Sequence, residues 1–331
     1  MKKIVLNACG VKSLGGLKLF LEAFDFFSKT DSKILVLYSE SEFYKDLNNQ
    51  FYENPRVKFY KTTKKRYLHP FLNYFLPKLV LEEINNGDAI IHFGNFGFKT
   101  LKKSFVLIQN ILPLVKKDTR NVILKILMKR SMKFSNFILI QLEHLKQDID
   151  KNFHSKIIQI GETTSSNVQI ANKSGKIVLF GSNVENKNFN FMKSVLENLP
   201  NKKKITVINP TTGMESFNVV RTETHFETLE LISENEIYFH ASEYETVGLP
   251  LYEAQNLGLK VVAPICSYTQ YFSPESIFLY EMNNLKDALK KIEDAKSSDI
   301  ESIDTLNYSE NWKIVLDLSL IHISEPTRPR S

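Results

Sequence analysis

Two glutamates that flank a predicted helix start are the residues of this chain best suited to chemistry. Glu245 precedes the tripeptide Gly248-Leu249-Pro250, and Glu253 follows it, with seven residues between the two acids. Pro250 suits the first turn of a helix, where its missing N–H group has no partner to lose. Apolar runs stand on either side, so the pattern predicts a strand, an acidic turn, a helix and a second strand. Such a βαβ unit places ligands at the carboxyl ends of its strands, and both acids can face one crevice there.

The same pattern also fits a solvated pair of acids, since the helix macrodipole favours negative charge at a helix start. The neighbouring residues favour a ligand site, because the segment resembles the donor-site signature of the retaining, GT-B-fold glycosyltransferases of family four. In that signature a Glu precedes a Gly-Leu-Pro helix start and a second Glu follows. The matching residues here are Glu245, Gly248-Leu249-Pro250 and Glu253-Ala254.

This resemblance covers nearly the whole chain and implies an α/β protein of two facing Rossmann-like domains, the GT-B architecture, with a central cleft. It implies a hexosyltransferase that moves a sugar from a nucleotide diphosphate sugar to a hydroxyl of a glycan or lipid-linked acceptor, with retention of anomeric configuration. Cell-surface polysaccharide or lipid-linked glycan synthesis is the expected process. Glu253 would hold the ribose hydroxyls, and Glu245 would be catalytic by contacting the sugar and balancing positive charge at C1. N–H groups around Gly248 and Leu249 would face the diphosphate.

A diphosphate clamp is expected in the loop that follows Gly181. In the family, the glycine that ends this strand is followed by an Arg, and a Lys lies farther along the loop. Lys187 falls six residues after Gly181, as the pattern requires, but Ser182 occupies the Arg position. One of two cations is therefore missing from the predicted clamp, although lysine also binds phosphate as a point charge. A solvated loop lysine is the alternative interpretation of Lys187. The segment that carries the family match, residues 181–264, contains no Asp-x-Asp signature that would support a catalytic metal, so we expect no metal and no cofactor.

The first half of the chain carries the residues predicted for the acceptor side. Gly15 and Gly16 lie between a predicted strand and a helix, where their amides can approach a phosphate, although paired glycines also simply turn a chain. Two later strands end in polar residues, the position where an α/β fold keeps its site. These residues are His92 and Asn95, then Gln109 and Asn110. The resemblance assigns donor contacts to the glycines and acceptor contacts to the four polar residues, while a hydrogen-bonded core position explains His92 equally well.

The length of 331 residues predicts two domains rather than one core. We expect an N-terminal acceptor-side domain over 1–165 and a nucleotide-sugar-binding domain over 166–317, with a polar linker over 161–174. The segment 318–331 resembles the translation of a sequencing-library adapter, so we expect a non-native tail there. Residues 308–312 resemble the family's segment in which a final helix crosses back onto the first domain.

Composition predicts a cytoplasmic compartment. No apolar run approaches the roughly 20 residues that span a bilayer, and the first apolar run is too short for a signal peptide. The two cysteines, Cys9 and Cys266, give no framework for disulfides or a metal site.

The two halves of the chain differ in charge. Residues 1–165 carry 27 Lys/Arg and 15 Asp/Glu, a net of +12, whereas residues 166–317 carry 14 and 21, a net of −7. A basic first half predicts an anionic partner. Residues 116–134 read as an amphipathic helix with Lys125, Lys129 and Lys133 on one stripe. That helix either packs on its sheet with a solvated basic face or lies on anionic lipid at the inner face of the membrane.

Other functions fit parts of the same pattern. A nucleotide-sugar epimerase or a phosphorylase-like enzyme can share the two-domain architecture. A non-enzymatic membrane- or nucleic-acid-binding protein would use the basic first half. Lys/Arg clustering without a recognised binding motif is poor evidence for nucleic acid, so we expect no nucleic-acid partner.

Overall fold

A computed structural model describes residues 2–11, 14–39, 54–62, 66–161, 175–182, 185–211, 213–272, 277–299 and 311–320. The chain divides into two compact units, Met1–Gly161 together with Ser309–Ser331, and Glu162–Tyr308. Each unit is an α/β layer structure on a parallel sheet. Most of the predicted linker, 162–174, lies outside the described residues.

The first unit is built on seven parallel strands within the described ranges. They are β1 (Lys2–Asn7), β2 (Ser32–Tyr38), β3 (Val57–Lys61), β4 (Ala89–His92), β5 (Lys103–Leu107), β6 (Phe137–Ile140) and β7 (Ile157–Gln159). The helices are α1 (Leu14–Lys29), α2 (Lys78–Asn85), α3 (Leu112–Val115), α4 (Thr119–Phe134) and α5 (Leu145–Asp148). Short 3₁₀ segments cover Arg66–Tyr74 and Lys151–Lys156.

The strands of this sheet run in the order β3-β2-β1-β4-β5-β6-β7. Parallel strands are covered on both faces and therefore read as continuous apolar runs, which is why they could be recognised in the sequence. The order reverses between β1 and β4, whose last residues, Asn7 and His92, are register partners. Ligands of open α/β sheets bind outside the strand ends at such a reversal.

The second unit repeats this plan, and the part of it that the structure describes contains six parallel strands. They are β8 (Ile177–Phe180), β9 (Ile205–Ile208), β10 (Asn218–Val220), β11 (Ile237–Phe239), β12 (Lys260–Pro264) and β13 (Ile277–Tyr280). The helices are α6 (Phe189–Glu197), α7 (His225–Ser233), α8 (Leu249–Asn256) and α9 (Leu285–Lys296). Short 3₁₀ segments cover Glu185–Lys187, Lys202–Lys204 and Thr269–Tyr271.

The strand order of the second sheet is β10-β9-β8-β11-β12-β13. This order reverses between β8 and β11, which pair in parallel through Ile177 with Ile237 and Val178 with Tyr238. The two loops that leave these strands carry Lys187 and Glu245. The topology therefore brings two of the predicted site residues to one edge of one sheet.

The last described helix, α10 (Asn311–Leu320), belongs to the first unit. Trp312 packs against Phe27 and Phe93, with ring centroids 6.4 and 5.8 Å away, and Val315 is buried in the same core. This placement corrects the predicted extent of the second domain, which ran to residue 317. The apolar face of α10 packs against the core of the first unit. The predicted tail begins inside this helix at Leu318, and residues 321–331 lie outside the described part of the chain.

Candidate functional site

Two loops at the carboxyl edge of the second sheet are tied together by Asn186. Its main-chain carbonyl accepts a 2.8 Å hydrogen bond from the N–H of Glu243, and its side-chain amide donates to the carbonyl of Tyr244 at 2.9 Å. Asn186 is buried, so these bonds are shielded from water. They hold the loop after β8 against the loop after β11 and place Lys187 beside Glu245.

The Lys187 ammonium donates a hydrogen bond to Oε1 of Glu245. The Lys187 side chain is 28% exposed and that of Glu245 is 14% exposed, so the pair lies mostly out of water but can be reached from solvent. Burial alone would raise the pKa of Glu245. The charge of Lys187, the His240 ring and hydrogen bonds from Lys187 and Ser242 together hold this pKa below its usual value. Glu245 is therefore a carboxylate at neutral pH.

His240 is a third member of this cluster, and nothing in the sequence pattern indicated it. Its Nε2 atom lies 3.6 Å from Oε1 of Glu245, and its Nδ1 atom lies 3.4 Å from the hydroxyl of Tyr238. The main-chain carbonyl of His240 accepts a 2.8 Å hydrogen bond from the hydroxyl of Tyr280. Burial lowers the pKa of His240 to about 4, although the charge of Glu245 opposes this shift. The ring is therefore neutral at pH 7.

Gly248 and Pro250 form the start of α8. Gly248 has a φ of +78°, and a Cβ atom there would lie 2.9 Å from Cδ1 of Leu251 and 3.2 Å from Cδ2 of Tyr268. Glycine adopts this conformation with the least strain, and a Cβ atom here would require the side chains of Leu251 and Tyr268 to shift. Leu249 is the first helical residue, so its N–H group is one of those that a helix leaves without an intrahelical partner.

Glu253 lies in the middle of α8 and is buried. Its Oε1 atom is 3.3 Å from Nε2 of His225, the first residue of α7. The imidazole of His225 is 44% exposed, so this pair joins a buried carboxylate to a ring at the surface. Glu253 was predicted as a site residue from the sequence, whereas nothing in the sequence pattern indicated His225.

Gly181 and Ser182 begin the loop that contains Lys187. A Cβ atom on Gly181 would lie 2.5 Å from Cγ1 of Val207 and 2.8 Å from Cβ of Pro210, so the chain turns closely against the end of β9. The N–H of Gly181 donates to the carbonyl of Ile208 at 2.9 Å. Ser182, at the position where the family signature has Arg, is half-buried.

In the first unit, Gly15 and Gly16 lie in the first turn of α1. These glycines were predicted to lie in the loop before the helix. They lie instead within the first turn of the helix, and so are still at its N-terminus. The side-chain amide of Gln109 donates to the carbonyl of Gly16 at 3.3 Å. The predicted glycine pair and one predicted acceptor-side residue are therefore brought together.

Asn95 and Asn110 hold the loops after β4 and β5 to each other. Oδ1 of Asn95 accepts hydrogen bonds from the N–H groups of Gln109 at 2.7 Å and Asn110 at 3.0 Å, and its amide donates to the carbonyl of Asn110 at 2.8 Å. Oδ1 of Asn110 accepts from the N–H of Leu112 at 3.0 Å. Asn95 is buried and has a φ of +76°. Both side chains therefore stabilise the loop conformation through hydrogen bonds to its main chain.

His92 is fully buried, and its contacts are those of a core residue. Its Nδ1 atom lies 2.9 Å from the side-chain amide nitrogen of Asn7, and its ring meets that of Phe98 edge-on with centroids 4.8 Å apart. Burial lowers the pKa of His92 to about 3, so the ring is neutral. The hydrogen bond across β1 and β4 accounts for Nδ1 of this histidine, whereas Nε2 is buried without a hydrogen-bond partner among the described residues.

Among the described residues, no group of three or more His, Cys, Asp or Glu side chains is arranged to hold a metal ion. The candidate site in the second unit consists of Lys187, His240, Glu245, Glu253 and His225, with the start of α8 beside them. It combines a lysine ammonium, two carboxylates and the N-terminus of α8 at a sheet edge. That chemistry suits a ligand that carries both phosphate and hydroxyl groups.

Solved structures resemble the chain over nearly its whole length, although no family model and no curated protein matches its sequence. One is WaaG, a glycosyltransferase involved in lipopolysaccharide biosynthesis, with a TM-score of 0.67 at 12% identity, covering 95% of this chain and 95% of WaaG. Another is Anabaena Alr3699/HepE in complex with UDP and glucose, with a TM-score of 0.65 at 14% identity, covering 97% of this chain and 100% of that one.

The chain has the GT-B fold. A UDP-GlcNAc 2-epimerase from Methanocaldococcus jannaschii is also similar, with a TM-score of 0.59 at 13% identity over 96% of this chain and 99% of the epimerase. The GT-B fold is therefore shared by a glycosyltransferase and an epimerase, and function has to be argued from the site.

Proposed function

We propose that this protein is a glycosyltransferase that moves a sugar from a nucleotide diphosphate sugar to a hydroxyl of a glycan or lipid-linked acceptor. The observation that carries the proposal is the ion pair between Lys187 and Glu245 at the strand reversal of the second sheet. Its members come from the two loops in which an open α/β sheet binds ligands. UDP and glucose are bound by the Anabaena protein of the same fold, which supports a nucleotide sugar as donor.

The leaving group in such a transfer is a nucleoside diphosphate, so the enzyme mainly has to stabilise the negative charge that develops on it. Lys187 supplies a positive charge on the rim of the site. The N–H groups at the start of α8, around Gly248 and Leu249, supply hydrogen-bond donors and the positive end of a helix dipole. Ser182 supplies a hydroxyl where a second cation was expected, so Lys187 carries more of the charge stabilisation.

In this proposal the two carboxylates contact different parts of the donor. Glu253, buried behind the start of α8, accepts hydrogen bonds from the ribose hydroxyls. Glu245 is ionised, contacts the sugar and balances positive charge at C1 as the glycosidic bond to the phosphate breaks. Retention of anomeric configuration and membership of family four are parts of this proposal that rest on the sequence signature.

Gly15, Gly16 and Gln109 form the part of the first unit that we assign to ligand contact. The carbonyl of Gly16 and the amide of Gln109 already meet, so the start of α1 and the loop after β5 form one surface. His92, Asn95 and Asn110 position this surface through their internal hydrogen bonds. We propose that the acceptor is recognised here, in cell-surface polysaccharide or lipid-linked glycan synthesis in the cytoplasm.

A screen of sugar nucleotides against polysaccharide fragments and lipid-linked acceptors tests this function. We expect transfer from at least one sugar nucleotide, and we expect Glu245→Gln, which keeps the size of the side chain and removes its charge, to lose most of it. An epimerase would instead convert the sugar nucleotide into its epimer without an acceptor, and a phosphorylase-like enzyme would require inorganic phosphate. Analysis of the products by mass spectrometry and NMR separates these outcomes.

We also propose that α4 docks on an anionic membrane surface. Val122, Ile123 and Ile126 lie exposed along one side of this helix, which begins at Thr119 rather than at the predicted residue 116. Buried Met128 and Met132 hold the opposite side on the sheet. An exposed apolar strip on a basic unit has the character of an interfacial helix.

The neighbouring segment extends this surface. The Arg130 guanidinium of α4 lies 4.8 Å from the ring of Phe71, and Tyr74 and Phe75 follow on the same segment with exposed rings. Aromatic rings and cations together fit the interface of an anionic bilayer. Among the described residues, no helix is long and apolar enough to cross the membrane.

Vesicle flotation tests the docking surface. Of the predicted basic stripe, Lys125 donates to the carbonyl of Leu114 and Lys129 pairs with Asp150, so their substitution would disturb the fold. The exposed Ile123 and Ile126 are better probes. We expect Ile123→Ser/Ile126→Ser to abolish flotation with phosphatidylglycerol vesicles, and equal flotation of variant and wild type would rule the surface out.

A further inference from the structure

The cluster around Glu245 contains a buried histidine that the proposed function does not use. We propose that His240 keeps the Glu245 carboxylate ionised and in place when the diphosphate of the donor draws Lys187 away from it. This inference rests on the proposed function, because it concerns what happens when a nucleoside diphosphate enters the same site.

The geometry brings two side chains to the same oxygen atom of Glu245. Lys187 donates to Oε1 of this carboxylate, and Nε2 of His240 lies 3.6 Å from the same oxygen atom. The ammonium of Lys187 cannot bind a diphosphate at full strength while it stays on Glu245. When a mostly buried carboxylate loses a cation that contacts it, its pKa rises unless other groups stabilise its charge. The His240 ring, whose Nε2 atom makes no hydrogen bond to the described residues, is the group that we expect to supply this stabilisation.

The tautomer of His240 follows from its other neighbour. When the Tyr238 hydroxyl, 3.4 Å away, donates to Nδ1, the ring proton sits on Nε2 and points toward Glu245. Nε2 has no hydrogen-bond partner among the described residues, and His240 is only 5% exposed. The N–H of His240 then points toward the Glu245 carboxylate from just beyond hydrogen-bonding distance. A small movement after Lys187 leaves would form the hydrogen bond.

The remaining groups that face Glu245 do not substitute for His240 as neutral donors. The Ser242 hydroxyl already contributes a hydrogen bond that helps to hold the pKa of Glu245 low. Burial raises the pKa values of Tyr238, Cys266 and Tyr268, so all three keep their protons at pH 7. The Cys266 thiol donates to the carbonyl of Glu243 at 3.7 Å, and the Tyr238 hydroxyl lies at Nδ1 of His240. The Tyr268 hydroxyl donates to the carbonyl of Ser242.

Proton uptake on nucleotide binding measures this role directly. UDP and GDP are titrated into the protein at pH 7 in PIPES and in Tris, two buffers whose ionisation enthalpies differ, and the difference in heat counts the protons exchanged. His240→Phe retains an aromatic ring between Tyr238 and Tyr268, whose centroids lie 5.9 and 6.0 Å from the imidazole. We expect this variant to take up about one proton more than the wild type on binding, and to bind about 10-fold more weakly at pH 7.

A matched pair of tyrosine variants gives a second measurement. Tyr238→Phe removes the hydroxyl beside Nδ1, while Tyr280→Phe removes an equally buried hydroxyl that bonds only to the main-chain carbonyl of His240. We expect extra proton uptake in Tyr238→Phe and none in Tyr280→Phe.

Three outcomes contradict the inference. Wild-type proton counts in both His240→Phe and Tyr238→Phe, with nucleotide still bound, would overturn the role of His240 and leave the proposed function intact. Equal uptake in the two tyrosine variants would show that the effect is structural and overturn it as well. Absence of UDP and GDP binding in the wild type would overturn the proposed function together with this inference.

Discussion

Lys187 and Glu245 are 58 residues apart in sequence and are joined by a hydrogen bond from the ammonium to the carboxylate. Each follows one of the two central strands of the second sheet, at the point where the strand order reverses. Asn186 ties their two loops together, so the pair belongs to a fixed loop geometry. A cation, a carboxylate and a helix start are thus held at one edge before any ligand arrives.

Replacing the lysine of this pair tests its part in diphosphate binding. We expect Lys187→Met to weaken UDP or GDP binding about 30-fold, because a charge-assisted hydrogen bond to phosphate contributes roughly 2 kcal/mol. Lys193→Met is the matched control, since Lys193 forms an ion pair with Glu197 within a single helix of the same unit. Isothermal titration calorimetry gives both affinities. Equal loss in the two variants would mean that general positive charge, and not this position, is what matters.

Gly248 should be intolerant of any side chain. We expect Gly248→Ala to lower the free energy of unfolding by about 1–3 kcal/mol, through the left-handed backbone and the contacts of the new Cβ atom with Leu251 and Tyr268. Gly213→Ala is a control for the backbone alone, because Gly213 has a φ of +76° but its Cβ atom would meet only Nζ of Lys193, at 3.6 Å. Urea unfolding measures both. A smaller loss for Gly248→Ala than for Gly213→Ala would contradict the predicted clash.

The contact between His225 and Glu253 predicts where the nucleoside binds. We expect His225→Ala and Glu253→Gln each to weaken UDP binding about 5- to 20-fold. The reason is that the 3.3 Å contact with His225 orients the Glu253 carboxylate, which we propose to accept hydrogen bonds from the ribose hydroxyls. Inorganic pyrophosphate lacks the ribose, so its affinity should stay unchanged in both variants and fall in Lys187→Met. A loss of pyrophosphate binding in Glu253→Gln would place this residue at the phosphates instead.

Acid should destabilise both units. His92 and His240 have pKa values lowered from 6.5 to about 3 and about 4 by burial, so the unfolded chain binds more protons than the folded one below pH 6.5. Stability is then lost as pH falls, by about 1.4 kcal/mol per pH unit for each histidine between pH 6 and 4. The lowered pKa of Glu245 adds to this loss below pH 4.5. The free energy of unfolding, measured with urea at pH 7 and at pH 5, should be lower at pH 5. Equal values would contradict the statement that both buried histidines are neutral in the folded protein.

The strands could be predicted from the sequence for a physical reason, whereas the proposed donor-site residues were found through the resemblance to a family signature. Strands covered on both faces are apolar throughout, and the loops between them carry their polar residues close together along the chain. Glu245, Gly248 and Glu253 lie on one such loop and the helix after it. Lys187 was found because the family signature has a Lys in the loop that follows the glycine matched here by Gly181.

His225 and His240 could not be predicted, because their partners lie on other elements and a single histidine produces no pattern. The orientation of α4 was also open, since apolar residues occur on both of its sides. Met128 and Met132 face the core, and the equally apolar Ile123 and Ile126 do not. Packing against the sheet determines which side of α4 is buried, and the periodicity of the sequence does not indicate which side this is.

Binding of UDP and GDP to the intact chain tests the central claim most directly, namely that the edge between β8 and β11 holds a nucleoside diphosphate. We predict a Kd below about 1 mM for at least one of the two nucleotides, with the loss in Lys187→Met given above. Failure of both nucleotides to bind, in protein whose unfolding transition shows it to be folded, would contradict the account.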